Sequence, residues 1–407
     1  MSSYPEQING FSNFSFSPKT RLPGYAGLYL SSAFQSLGMS LIGLFIPLYV
    51  LKLTGSVPFV FLFYGFYHCL VVLFSFPVGK LVSRWGIDWI GFLGSIFRVI
   101  FIFLLIQAEK NPTFLWLSAF FWGITVAFSW IPFHYAFTIA EKEDGKYGKE
   151  VSQQQIIYKI TGLVGPVAGG VMIASFGFDS LFSLALILVA VSGFPLFFDT
   201  LKAKNMEVSF AKIKSHLLGK KQGNFWLGFV GGEIEAGVLG LAWPLYIFLV
   251  VGSYQALGAI KSLATLVSAA LVLFLGKWID KKGKSILYLG TVLNSFNVLL
   301  RAFLQNPVGL FFVDSAYGVT SNLVATPFDS AFYERARGMR KLEFMVEREL
   351  IIHLSGFVVC LLLSLLFAVS VGWFWVFALG IVGILMRSYI IAQEEEPWWK
   401  KLRKRFF

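Results

Sequence analysis

The sequence predicts an all-α membrane protein built from two similar six-helix bundles, and three observations carry that prediction. Apolar residues make up 57% of the 407-residue chain and charged ones only 14%, with phenylalanine alone occurring 45 times. A water-soluble fold has no use for that much apolar surface. The apolar residues gather into about twelve runs, each near the roughly 20 residues that a helix needs to cross a bilayer. The two halves also repeat. Pro47-Leu48-Tyr49 returns as Pro244-Leu245-Tyr246 at an offset of 197 residues, and Gly79-Lys80 returns as Gly276-Lys277 at the same offset. Pro132-Phe133-His134-Tyr135-Ala136-Phe137 matches Pro327-Phe328-Asp329-Ser330-Ala331-Phe332 at an offset of 195. The loop holding Asn111-Pro112 is longer than its counterpart at Asn306-Pro307, which accounts for the slip.

The runs lie at approximately 24–51, 58–80, 89–106, 113–139, 152–174 and 179–198 in the first half. The second half gives 224–251, 255–275, 285–304, 308–331, 350–370 and 372–391. Helices of these lengths satisfy every backbone N–H and C=O inside lipid, which open strands do not. The domain division follows: a polar leader over 1–23, a first bundle over 24–198, a linker over 199–223, a second bundle over 224–391 and a basic tail over 392–407. Lys19, Arg21, Lys80, Arg84, Lys142 to Lys149, Lys202 to Lys221, Lys277 to Lys284, Arg335 to Arg348 and Lys400 to Arg405 share one side. The opposite loops hold little beyond Lys110 and Lys52. The positive-inside rule then predicts a multi-pass protein of the inner (cytoplasmic) membrane with both termini cytoplasmic.

The net charge of +12 is therefore a topology signal. Basic residues dispersed between spans do not form a nucleic-acid surface. The leader lacks a signal-peptide layout. Cys69 and Cys360 lie inside apolar runs and point to neither a disulfide framework nor a metal site. In the linker, Val208, Ala211, Ile213 and Leu217 alternate with Lys212, Lys214 and Lys220, a pattern expected of a helix on the membrane surface. The tail from Trp398 to Phe407 pairs aromatics with bases suited to anionic headgroups.

Gly276, Asp280, Lys281, Gly283 and Lys284 form Gly-x-x-x-Asp-(Arg/Lys)-x-Gly-(Arg/Lys) after the second helix of the second half. With the duplication, this resembles the major facilitator superfamily of transporters over nearly the whole chain. The first copy keeps Gly79, Arg84 and Gly86 but has Ser83 where the acid belongs and Ile87 where a base belongs. The resemblance implies a twelve-helix fold of two pseudo-symmetric bundles, with the first, fourth, seventh and tenth helices lining a central cavity. Gly165-Pro166-x-x-Gly169-Gly170 resembles the family's fifth-helix motif, most associated with antiporters. Its glycines let helices approach closely, and Pro166 removes a backbone hydrogen bond. Ala119 stands where proton-coupled members carry an arginine, and Asp314 holds the equivalent place in the tenth span.

Candidate residues follow along the chain. Gln35 and Ser36 make the first span unusually polar, and Glu233 and Glu235 occupy the seventh-span equivalents of Ser36 and Gly38. Acids at that depth are costly when charged and unpaired, so they are expected to be protonated or paired, and they are the proton-coupling candidates. Two residues apart, they point about 200° apart, so only one faces the cavity directly. Arg98, in the third span, reads as a packing or snorkelling residue. His134 and Asp329 are repeat equivalents, each two residues after a proline, and are expected to gate the cytoplasmic mouth. Lys159, Lys261, Asn294, Asn297, Arg301 and His353 are further candidates for the substrate cavity.

The expected function is secondary transport of a small organic or amphipathic solute by alternating access, coupled to protons and directed outward by antiport. Uniport or proton symport of a charged or zwitterionic metabolite is the alternative, and lipid translocation a third. No cofactor, no metal and no enzymatic motif is expected; the partners are the bilayer, the solute and protons, with the protein acting as a monomer.

Overall fold

The computed structural model describes residues 26–139, 148–195, 208–282, 284–337 and 340–392, and among them it contains helices and no strand. The first half comprises α1 (Ala26–Gly43), α2 (Ile46–Thr54), α3 (Val57–Trp85), α4 (Ile87–Gln107), α5 (Thr113–Ile139) and α6 (Gly148–Ser192). A short linker helix, α7 (Phe210–Leu217), leads to the second half. There α8 (Lys220–Glu235) runs through a π-helical turn at Ala236–Ala242 into α9 (Trp243–Val251). α10 (Tyr254–Lys282), α11 (Lys284–Arg301), α12 (Pro307–Arg337), α13 (Lys341–Ala368) and α14 (Trp373–Ala392) complete it. Eight helical stretches are long and apolar enough to cross a membrane by length and composition, and Trp373–Ser388 adds a shorter one. One of the eight, Ile160–Ser192 in α6, carries two of the apolar runs, divided at Gly177, whose φ of 81° no helix tolerates. α10 and α11 fall short of that measure over the described residues.

The duplication reaches the backbone. α2 and α9 both end on a left-handed glycine, Gly55 at φ 64° and Gly252 at φ 68°. Each glycine donates its N–H to the carbonyl four residues back, at 2.8 Å. Only glycine takes that conformation without steric cost. The next residue then caps the following helix. Ser56 Oγ accepts from Phe59 N at 3.3 Å, and Ser253 Oγ accepts from Ala256 N at 3.2 Å. Tyr49 and Tyr246, from the repeated Pro-Leu-Tyr, each donate at 3.0 Å to a carbonyl at the end of the third span of their own half, Leu105 and Leu304. The first span of each half is also interrupted at the same level, at Leu44–Phe45 and at the π-helical turn.

Packing repeats in the same way. In the first half α1 lies against α6, α4 against α5 and α6, and α3 against α5; in the second, α8 lies against α14, α11 against α12 and α14, and α10 against α12. The halves meet along two seams, α3 with α13 and α6 with α10. Each seam joins the second span of one half to the fifth of the other, as a pseudo-twofold axis requires. At the α3–α13 seam Phe61 stacks on Phe367 with ring centroids 5.2 Å apart, and Ser364 donates to the carbonyl of Pro58 at 3.0 Å. Large apolar side chains such as Leu73, Phe103, Phe176, Ile187, Phe312 and Val358 point outward over both halves, where lipid would cover them.

The linker corrects one expectation. The apolar side of α7 is turned into protein, not onto a membrane surface. Ile213 is fully buried in a cluster with Val78, Val82, Leu342 and Val346. Two polar contacts hold it there: Ser209 N donates to Glu343 at 3.0 Å, and His216 Nδ1 lies 2.5 Å from Glu347 Oε2. Lys212 and Lys214 stay exposed.

Candidate functional site

The polar stripe of α1 arises from helical spacing: Ser32, Gln35, Ser36, Met39 and Ser40 recur at intervals of one, three and four and so share a face. That face looks into a cavity of about 420 Å³ walled also by α3, α4, α5 and α6. Ser36 Oγ sits 2.6 Å from Thr161 Oγ1, and Ser40 Oγ donates to the Thr161 carbonyl at 2.9 Å. Arg98 on α4 is only 4% exposed, lines the cavity and donates from Nη2 to Ser129 Oγ at 3.0 Å. Expected from the sequence to be a packing or snorkelling residue, Arg98 is packed, and its place is in the wall of the cavity. Its signal in the sequence was its position, a single arginine in the middle of an apolar run. Aromatic rings supply the rest of the wall. Trp122 stacks on Tyr67, 4.5 Å away at 25°, and on Phe101, 5.0 Å away at 16°. Trp130 stacks on His134 at 5.3 Å and 20°.

Next to this wall a chain of ionisable groups crosses from one half to the other. His68 Nδ1 on α3 lies 2.8 Å from His353 Nδ1 on α13, so one ring donates and the other accepts. His353 Nε2 lies 3.4 Å from Glu349 Oε2, and Glu349 is also paired with Arg348. His134 is buried and within electrostatic reach of Arg348 and Glu349. No local pattern in the sequence points to His68, because its partner lies 285 residues away.

Glu233 and Glu235 go to different surroundings, and the duplication explains which goes where. Gly38, the equivalent of Glu235, packs against Val189 and Ala185 in the sixth span of its half. Glu235 likewise turns toward α14, where Arg387 Nη1 is 3.4 Å from Oε2. It is 4% exposed and also accepts from Tyr317 at 2.9 Å and Asn294 at 3.1 Å. Ser36, the equivalent of Glu233, lines the cavity. Glu233 is half-buried and makes no hydrogen bond or ion pair with the described residues. Arg348, Glu349, Arg387 and Tyr67 lie within its electrostatic reach.

Four of the residues expected to line the substrate cavity converge elsewhere, inside the second half. Asp314 lies 3.0 Å from Lys261 and 3.4 Å from Arg301, and accepts from Trp243 Nε1 at 2.9 Å. The Arg301 guanidinium is fully buried, 4.1 Å from the Trp243 ring and 4.8 Å from the Tyr317 ring. Asn297 donates to the Val313 carbonyl at 2.8 Å, and Asn294 accepts from Thr320 at 2.9 Å. Gln35 and Ser36 line the first-half cavity, while His353 sits on the seam. Lys159 and Asp329 belong to α6 and α12, but their side chains lie outside the described residues, so a His134–Asp329 pair is not described. The same holds for the side chains of Asp280 and Lys281 and the surroundings of Gly276 on α10; Gly283 lies outside altogether.

The remaining motif residues are packing contacts. At the basic end of the molecule a Cβ on Gly79 would meet Val346 of the other half, Gly86 ends α3 at φ 88° and Arg84 is exposed. Gly165 abuts Ser40, Gly169 abuts Leu41 and Phe45, and Gly170 abuts the backbone of Tyr254 across the α6–α10 seam. The Pro166 carbonyl faces Gly258 there.

A helical, lipid-facing protein of two repeated halves, with a polar cavity and ionisable groups at its centre, has the build of a membrane transporter. The chain belongs to the major facilitator superfamily, whose family model matches residues 28–340. It is a multi-pass secondary transporter and not an enzyme. A search of curated proteins returns no match.

Proposed function

We propose that the protein moves a small organic solute by alternating access and couples that movement to protons through Glu233. The observation that supports this reading is the contrast between the two glutamates. Glu235 is satisfied by three partners, whereas Glu233, the repeat equivalent of the cavity-lining Ser36, has none among the described residues. A carboxylate at that depth is costly to leave charged without a partner or water. Taking a proton as the path closes and losing it as the path wets ties proton movement to the rocking of the halves. In the same reading both termini face the cytoplasm, His134 and Asp329 gate the inner mouth, and the Gly165–Gly170 motif favours export by antiport.

A second reading, proton symport of a charged solute, draws on one observation: Arg98 stands in the wall of the cavity while Glu233 lies within reach of the rim residue Tyr67. Proteoliposomes separate the two readings. Under antiport an acidic lumen accumulates the solute; under symport an alkaline lumen does. Glu233→Gln should abolish gradient-driven transport across a solute panel, while Glu235→Gln should retain it. Gradient-driven transport that survives Glu233→Gln would remove the coupling assignment. Charge reversal at His134 and Asp329 should change the labelling of cysteines placed in the cavity, and unchanged labelling would remove the gate.

A further inference from the structure

We propose that His68 and His353 form a proton-binding site shared by the two halves, one that holds a single added proton while α3 and α13 are in contact there and gives up that contact on taking a second. The two Nδ1 atoms lie 2.8 Å apart, with the ring planes tilted at 44°. At that distance one Nδ1 carries a proton and the other offers its lone pair. The proton count sets the capacity of the site. A neutral pair has two protons on four ring nitrogens, one of them on the line between the rings. One added proton fills the bare outward nitrogen and leaves that line intact as a charge-assisted bond. A second can only go onto the shared line, where two N–H groups of two imidazolium rings would then face each other. The contact does not survive that.

The surroundings place the two rings and fix their tautomers. His353 is buried and His68 half-buried. The His68 ring lies against the bare backbone of Gly356, where a Cβ would run into Cε1, so a glycine there lets the rings meet. Among the described residues, Tyr67 of α3 packs against both rings, 4.6 Å from His68 and 5.7 Å from His353. Glu349 of α13, paired with Arg348, faces the outer nitrogen of His353, with Nε2 3.4 Å from Oε2. A carboxylate favours a proton on the nitrogen it faces, so His353 keeps Nε2–H and accepts at Nδ1 from His68. The first added proton then enters at His68 Nε2. One layer further out, His134 of α5 and Glu233 of α8 lie within electrostatic reach of Glu349.

This site goes beyond the Glu233 assignment, and it is measured with no gradient and no solute, so the two fail separately. The chain has four histidines, few enough to read one by one. Full-length protein labelled with nitrogen-15 histidine is titrated in lipid nanodiscs by solid-state NMR, and the signals lost in His68→Gln and His353→Gln assign the pair. Its two protons should go on in separate steps more than about one pH unit apart, with the Nδ1–H···Nδ1 coupling surviving the first and lost at the second. In His68→Gln, His353 should titrate in one step. A single step for both protons, no coupling, or a His353 titration unchanged by His68→Gln overturns the shared site. Cys360 reports on the contact itself. It is 2% exposed, and a Cβ on Gly65 of α3 would lie 3.5 Å from its Cβ. With Cys69→Ser, maleimide should label Cys360 below the second step about tenfold or more faster than in the His68→Gln variant at the same pH, because whatever the contact costs the second proton, that proton costs the contact. Comparison at one pH cancels the slowing of thiol chemistry by acid, and equal rates overturn the release of the contact. If His68→Gln fails to fold, His353→Gln serves the same comparison and the spectrum of the unaltered protein still gives the proton count. Two-step titration with transport that survives Glu233→Gln removes the coupling assignment and leaves this site standing; one-step titration removes this site whatever Glu233→Gln does.

Discussion

At the scale of single residues, the second half concentrates its ionic cost around Asp314. One carboxylate offsets two cations, the half-buried Lys261 and the fully buried Arg301, and a tryptophan N–H fills a further lone pair. Removing it leaves both cations uncompensated. Asp314→Ala should lower stability by about 3–5 kcal/mol, the range for breaking a buried ion pair from one side. Asn297→Ala removes a hydrogen bond to the Val313 carbonyl and a long one accepted from Arg301 Nε at 3.4 Å, and should cost only about 1–2 kcal/mol, as interhelical bonds in membranes do. Thermal unfolding in detergent compares the two, and equal losses would show that Asp314 acts as an ordinary hydrogen-bonding residue. His68 belongs to this scale too. Its bond to His353 is the one described hydrogen bond between side chains that joins the halves through imidazole rings.

At the scale of elements, the fifth-helix glycines give α6 its dual role. One side of α6 receives α1 at Gly165 and Gly169; another receives α10 at Gly170. A side chain at Gly170 would run into the Tyr254 backbone, which cannot swing aside as a side-chain tip can. Gly170→Val should therefore destabilise by about 1–3 kcal/mol, the range for overpacking, and slow transport by wedging the α6–α10 seam. Gly162, about two turns earlier, has open space where its Cβ would be. Gly162→Ala should leave stability unchanged or raise it by about 0.5–1 kcal/mol through helix propensity. The melting temperatures of the two variants test the distinction, and similar losses in both would mean that close approach is not what the motif provides. The interruptions between α1 and α2 and between α8 and α9 come at matching levels in the repeat. A π-helical turn shifts the register of the helix that follows, a feature frequent at functional sites, and here it follows directly on Glu233 and Glu235.

At the scale of the whole molecule, the proposed cycle has one half rocking on the other about the two seams. The α3–α13 seam is closed at the basic end, where a Cβ added to Gly79 would lie 3.9 Å from Val346 Cβ. That separation falls within the roughly 3.5–4.5 Å spanned by disulfides. Gly79→Cys with Val346→Cys, in a background of Cys69→Ser and Cys360→Ser, should cross-link on oxidation and stop transport, and reduction should restore it. Full transport in the oxidised state would mean that this end need not part during the cycle. The linker helix α7 rides on the same end through Ile213 and His216 and so ties the halves together where they would separate.

The sequence by itself determined the class of molecule: helical, membrane-crossing, duplicated, and of this superfamily. Those properties are local or periodic. Lipid demands internal hydrogen bonding over every apolar run, and a repeated Gly-Ser pair at 55–56 and 252–253 ends one helix and starts the next wherever it occurs. What only the tertiary structure decided was direction. Asn294, Asn297, Arg301 and Lys261 read as cavity candidates because polar residues in apolar runs look alike, yet each meets a partner inside the second half: Glu235 for Asn294, the Val313 carbonyl for Asn297, and Asp314 for Arg301 and Lys261. Arg98 reads as a packing or snorkelling residue and proves to line the cavity. Glu233 was separable from Glu235 only once the partners of each were placed. The physical reason is that the angle at which each helix is turned about its axis, and the neighbour it then faces, are set by packing between segments hundreds of residues apart. No window along the chain contains that information.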